Sequence, residues 1–158
     1  AYPILSLPNR ANYFQDEPNL DASAYLTYYV PDDAAAIRFL AEQPLGVVAE
    51  ASTHDSYTEY ARMATHSGLP NIMGWGGHQL QWRGGSQAFA GRQEDIRLLY
   101  EMPSWEKTSE ILARYNVRYV VLGGLERRTY QVYEPKFANL PEIFRSGDTV
   151  VYLVPERP

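Results

Sequence analysis

Short apolar runs alternate with longer amphipathic stretches along this chain, and that alternation predicts strands set between helices. Val47-Val48-Ala49 is too short for a helix and reads as the first strand, with polar residues after it from Glu50 to Ser56. Residues 69–73 form the next apolar run, which Pro70 restricts to the start of a strand. Val117–Leu122 is apolar on both faces apart from Arg118, as a buried parallel strand requires. Residues 143–145 and 149–154 flank Ser146-Gly147-Asp148 and predict a β-hairpin.

Helix signals fill the intervals. Pro31-Asp32-Asp33 suits a first turn, Ile37, Leu40 and Ala41 supply an apolar stripe, and Pro44 ends it. Ser56 and Glu59 have capping-box spacing, which predicts a helix over residues 57–67 with Gly68 as its stop and explains Ser56 as a cap. Two more helices are predicted over residues 93–100 and 105–115, the second capped by Ser104 and stopped near Asn116. Residues 1–30, broken by Pro3, Pro8 and Pro18, read as an irregular lead-in to a single α/β domain over residues 31–158. The order of elements implies a three-layer, mainly parallel, Rossmann-like sheet with a C-terminal antiparallel β-hairpin at one edge.

Composition narrows the function. At 158 residues, 45% hydrophobic and 21% charged, the chain has the makeup of one globular domain. A net charge of −5 with no Lys/Arg-rich run argues against nucleic acid as a partner, because phosphate neutralisation needs clustered positive charge. The absence of cysteine excludes disulfides and thiol chemistry. No apolar run approaches the length of a membrane span, and the abrupt apolar start at Ala1 reads as the interior of a longer polypeptide. Tyrosine is abundant, at 13 residues, which suits half-buried surfaces, carbohydrate faces and membrane-proximal surfaces alike.

Unusual side chains follow each predicted parallel strand. Glu50, Thr53, His54 and Asp55 follow the first; Trp75, His78, Trp82 and Arg83 the second; Gly123, Gly124, Glu126, Arg127 and Arg128 the third. Ligands of open α/β sheets bind at that edge. Within the glycine-rich loop of residues 74–85, tryptophan faces and planar hydrogen-bonding groups suit a sugar, and Arg83 with Arg92 suits a phosphate. The same loop reads equally as one pinned by its tryptophans against the core or a partner domain. Gln79 stands where a dinucleotide fingerprint needs its last glycine, so no cofactor is implied. His54-Asp55-Ser56 holds the residue types of a hydrolase triad, but adjacent residues rarely face one another and no nucleophile elbow is present. His54, Asp55, His66 and His78 show no ligand-spaced pair, so no metal is implied.

Ordered blocks also carry a family resemblance. Leu20-Asp21 with Ala24-Tyr25-Leu26, Tyr28-Tyr29 and Pro31-Asp32-Asp33 resemble the soluble C-terminal tail of the YYY membrane-protein family of bacteria and archaea. So do Asp55-Ser56-Tyr57-Thr58-Glu59-Tyr60, Gly74-Trp75 with Gly77-His78, Gln81-Trp82-Arg83-Gly84, and Leu125-Glu126-Arg127-Arg128-Thr129-Tyr130. That family is similar to multi-spanning glycosyltransferases that use lipid-phosphate-linked sugars and carry an extracytoplasmic α/β domain. In related oligosaccharyltransferases a Trp-Trp-Asp-Tyr-Gly motif after the first soluble strand helps hold the acceptor. Here that place retains only the Asp-x-Tyr flavour, in Asp55 and Tyr57. Peptide-acceptor recognition is therefore not implied.

The resemblance implies an extracytoplasmic accessory domain that binds or positions a sugar-phosphate-lipid donor or its acceptor, and is not catalytic alone. Its expected partners are an N-terminal transmembrane region of the same polypeptide and a lipid-linked sugar. The expected binding residues are His54, Asp55, Tyr57, Trp75, His78, Trp82, Arg83, Arg92, Glu126 and Arg127. The alternative is a stand-alone carbohydrate- or phosphate-binding module; a hydrolase using His54 or His78 ranks last.

Overall fold

The computed structural model describes residues 23–82 and 84–155. Its elements run α1 (Ala24–Tyr29), α2 (Pro31–Ala41), β1 (Val47–Ala49), α3 (Arg62–Ser67), α4 (Gly76–Trp82), a 3-10 turn (Ser86–Phe89), α5 (Arg92–Glu101) and α6 (Trp105–Arg114). After these come β2 (Val117–Leu122), α7 (Gly124–Thr129), a second 3-10 turn (Glu134–Asn139), β3 (Glu142–Ser146) and β4 (Thr149–Leu153). Among the described residues no helix is long and apolar enough to cross a membrane.

The four strands lie in the order β1-β2-β4-β3. Only β1 and β2 are parallel; β2 pairs with β4, and β4 with β3, antiparallel. The expected mainly parallel, Rossmann-like sheet is thus corrected to a mixed, mostly antiparallel one, though the hairpin does form its edge. Two causes are visible. The run at residues 69–73 touches the sheet through one parallel bridge, Asn71 to Val48, because Pro70 has no N–H to give and offers only its carbonyl, to the Val48 N–H. The hairpin, needing no crossover helix, then takes the other side of β2.

Helices cover both faces of this sheet. On one side Leu26, Ile37, Leu40 and Met63 pack with Val48, Tyr119, Val121 and Val151. On the other, Ile96, Leu99, Tyr100, Ile111, Leu112 and Phe137 pack with Ala49, Val120 and Leu122. β2 sends successive side chains from Tyr119 to Leu122 alternately into the two cores, which is why its sequence is apolar at every position but Arg118. Each fully buried Leu or Ile contributes roughly 1.5–3 kcal/mol of burial free energy.

Local signals hold in part. Pro31 opens α2, Ser104 accepts the Lys107 N–H at the start of α6, and Gly68 ends α3 with its N–H on the Ala64 carbonyl. Other expectations are corrected. Of the lead-in, residues 1–22 lie outside the described residues, and Ala24–Tyr29 is a helix that runs on into α2 through Val30 N–H to Leu26 O and Ala34 N–H to Val30 O. It buries only Leu26, so no periodic stripe betrays it. The helix expected from residue 57 begins at Arg62, and Ser56 is not its cap. Residues 56–61 are turns instead, with Tyr57 and Ala61 at φ of 59° and 61°. The buried Glu50 carboxylate accepts from the Met63 and Ala64 N–H groups, displacing the local capping box. The expected loops at residues 74–85 and 125–128 hold the short helices α4 and α7.

Candidate functional site

After Ala49 the chain leaves the sheet, and two side chains from beyond β2 hold it. Glu126 Oε1 accepts the Ala51 N–H at 2.8 Å, and the Tyr130 hydroxyl accepts the Ser52 N–H at 3.2 Å. The buried Tyr100 hydroxyl donates to the carbonyls of Ala49 and Val121, at 3.1 and 2.8 Å, and its ring stacks on Tyr130. The segment that carries His54, Asp55 and Tyr57 therefore starts from fixed ground.

α4 then closes over that segment. The Gly76 N–H bonds the Thr53 carbonyl, and a Cβ at Gly76 would stand 2.9 Å from His54 Cα. This close approach explains the glycine. It seats four rings together: Tyr57 on Trp75 and His78, with centroids 5.5 and 4.7 Å apart, Trp75 on His78 at 5.2 Å, and His78 stacked on Trp82 at 5.0 Å with planes 16° apart. Trp75 Nε1 donates to the Tyr60 carbonyl at 2.7 Å and fixes the base of the cluster. Tyr57 and Trp82, by contrast, are 82% and 75% exposed. Large aromatic rings held in place yet exposed offer faces to a ligand or partner.

Behind this surface lies a buried charged network. The Arg62 guanidinium pairs with Asp33 through Nε and with both Glu126 oxygens, at 3.1 and 3.0 Å. Glu126 also accepts the Gly123 N–H at 2.9 Å, and Asp33 accepts from Thr149 Oγ1 at 2.7 Å. Gly123 permits the crossing, since a Cβ there would stand 2.9 Å from Thr149 Oγ1 and 3.0 Å from Asp33 Oδ1. Burial alone would raise the Glu126 pKa, but Arg62 and the two backbone N–H groups hold it below the ordinary carboxylate value. At Glu50 burial prevails and raises the pKa, against the opposing pull of Arg62, Asn71 and two backbone amides.

The structure therefore separates the residues singled out from the sequence. Tyr57, Trp75, His78 and Trp82 come together, with His54 and Asp55 exposed on the adjoining segment. Arg83 lies outside the described residues. Glu126 is fully buried in the network. Arg127 donates to Glu134 and to the Asp148 carbonyl, and Arg92 donates to the Ile72 carbonyl while lying over the Tyr115 ring. Sequence reasoning missed the roles of Asp33, Glu50 and Arg62. Only the Gly123-Gly124-Leu125-Glu126 order, a glutamate at the third helical position after a strand, carried a usable signal. Among the described residues no group of three or more histidines and acids is placed to hold a metal ion.

Comparison with known proteins gives little beyond this geometry. No family model matches the sequence, and no curated protein matches it. The crystallised C-terminal globular domain of an oligosaccharyltransferase from Archaeoglobus fulgidus is similar in structure, at 14% identity and a TM-score of 0.49. The alignment covers 78% of this chain and 97% of that one. A likeness of that degree carries no correspondence of residues or activity.

Proposed function

We propose that this chain is an accessory domain of a glycosyltransferase-like membrane protein of the YYY family, on the extracytoplasmic side. It presents the Tyr57, Trp75, His78 and Trp82 cluster to a sugar-phosphate-lipid donor or its acceptor. The observation that carries the reading is Trp82: three-quarters exposed, yet held in a stack on His78. A ring kept exposed on a rigid base gives contact area to a sugar face at little ordering cost.

The sequence blocks that resemble the YYY family include these residues, and the charged network supports an accessory role. Glu126 and Asp33 are committed to Arg62, and Glu50 to the first turn of α3, so the buried acids serve the fold and leave the chemistry to the membrane part. The test is glycosyl transfer by the full-length protein. Trp82→Ala should abolish most of that activity while the melting temperature of the 158-residue chain stays unchanged. Full activity in that variant would refute the reading.

A further inference from the structure

A cleft of about 350 Å³ opens at the same sheet edge, between α1, the start of α2, α7 and the β3–β4 turn. Its size falls in the range of roughly 300–1,000 Å³ typical of small-ligand pockets. None of the four rings of the aromatic cluster lines it.

Charge decides what it accepts. Asp32, Asp33, Glu59 and Asp148 line it against Arg62 and Arg128. Arg62, at the floor, already pairs with Asp33 and with Glu126 behind it, so it has no charge to offer a ligand. Arg128 is held by Glu59 at 3.1 Å. Asp32 accepts from Ser146 Oγ at 3.0 Å and from the Asp148 N–H at 3.3 Å, neutral donors that leave its charge in place, so Asp32 and Asp148 keep the rim acidic, which disfavours phosphate and every sugar phosphate. A carboxylate accepts hydrogen bonds and donates none, so the ligand must bring donors.

The walls are aromatic. Tyr25 is half exposed and Tyr29 is 74% exposed, so ring faces stand beside the carboxylates. Ring faces want an apolar surface and acidic oxygens want hydroxyls, and a pyranose supplies both on one flat molecule. We infer that this cleft binds an uncharged saccharide, with the sugar ring against Tyr29 and its hydroxyls donating to Glu59 and Asp32. The inference is independent of the accessory role, since that role rests on Trp82 and this one on Tyr29.

The isotope-labelled 158-residue chain, titrated with maltotriose, mannotriose and diacetylchitobiose, tests it by NMR, with inorganic phosphate and spermidine as charged probes. At least one neutral probe should shift the signals of Tyr29, Glu59 and Arg128. Tyr29→Ala and Glu59→Gln should each weaken that binding by about tenfold or more, and Trp82→Ala should leave it unchanged. Both altered side chains are exposed, so the fold survives and the loss reads binding alone. Three results would overturn the inference: no shift with any neutral probe at millimolar concentration, shifts of these signals by phosphate or spermidine instead, or binding lost in Trp82→Ala and kept in Tyr29→Ala. The last would move the sugar to the aromatic cluster, whereas loss of activity in the full-length Trp82→Ala protein leaves this cleft untouched.

Discussion

Two groups of polar and aromatic side chains share the carboxyl edge of β1 and β2, and they have opposite relations to solvent. In the Asp33, Arg62 and Glu126 network every charge is buried and answered by another charge or an N–H group. In the Tyr57, Trp75, His78 and Trp82 cluster two of the four rings stand largely in water. The difference teaches that unusual residues at a sheet edge need not form one site. Some tie the loops down, and what remains exposed is what a partner or ligand can touch.

The largest expected effect comes from breaking the first group. Arg62→Met removes the cation and leaves two carboxylates buried without it, so urea denaturation should show a loss of about 3–5 kcal/mol. A loss below about 1 kcal/mol would mean that the network does not hold this edge together, and the contrast would fall.

Glu126→Gln should cost less, about 1–3 kcal/mol, since one of its donors then faces an amide nitrogen. Its pH dependence sharpens the point. The folded-state pKa of Glu126 lies below the ordinary 4.5, so its contribution is present above that value and disappears as pH falls through the folded one. The wild type should therefore lose stability in acid more steeply than Glu126→Gln. Glu50, with a raised pKa, works the other way: its contribution is full below pH 4.5 and fades as pH rises through its folded value. Matching acid profiles for wild type and Glu126→Gln would show that Arg62 is not pairing as described.

Among the described residues, Lys136 supplies a buried cation with no carboxylate in hydrogen-bond contact. Its Nζ donates to the carbonyls of Tyr100 and Met102 at the end of α5, and burial lowers its pKa from 10.5 to about 8 despite Glu101. The unfolded chain binds more protons between those values, so stability should rise from pH 8 to 9 by roughly 1 kcal/mol. Lys136→Met should abolish that rise in thermal melts; a slope unchanged in the variant would assign it elsewhere.

The smallest effect on stability belongs to the exposed rings. Tyr57→Ala and Trp82→Ala should stay within about 0.5 kcal/mol of wild type in the same denaturation assay. Trp75→Ala, which loses the bond to the Tyr60 carbonyl, should cost about 1–3 kcal/mol. If Trp82→Ala costs as much as Trp75→Ala, the cluster is a structural pin throughout and its binding role fails.

What the sequence determined by itself is what short-range physics encodes. Pro31 and Ser104 start helices, Gly68 stops one, Gly147 sits in the two-residue turn of the hairpin, and the apolar run of β2, broken only by Arg118, announces a strand covered on both faces. The four clustered rings were legible as candidates for the same reason: they sit within a few dozen residues of one another, after predicted strands. The tertiary structure alone decided the rest. It placed β4 rather than residues 69–73 beside β2, because strand pairing depends on which backbone groups are free and Pro70 leaves too few. It set Glu50 against the first turn of α3, where a buried carboxylate supplants the local pairing of Ser56 with Glu59. It also put Glu126 in the interior, paired with an arginine 64 residues away. No local pattern carries that information, since the burial of a charge is set by the partner that the fold brings to it.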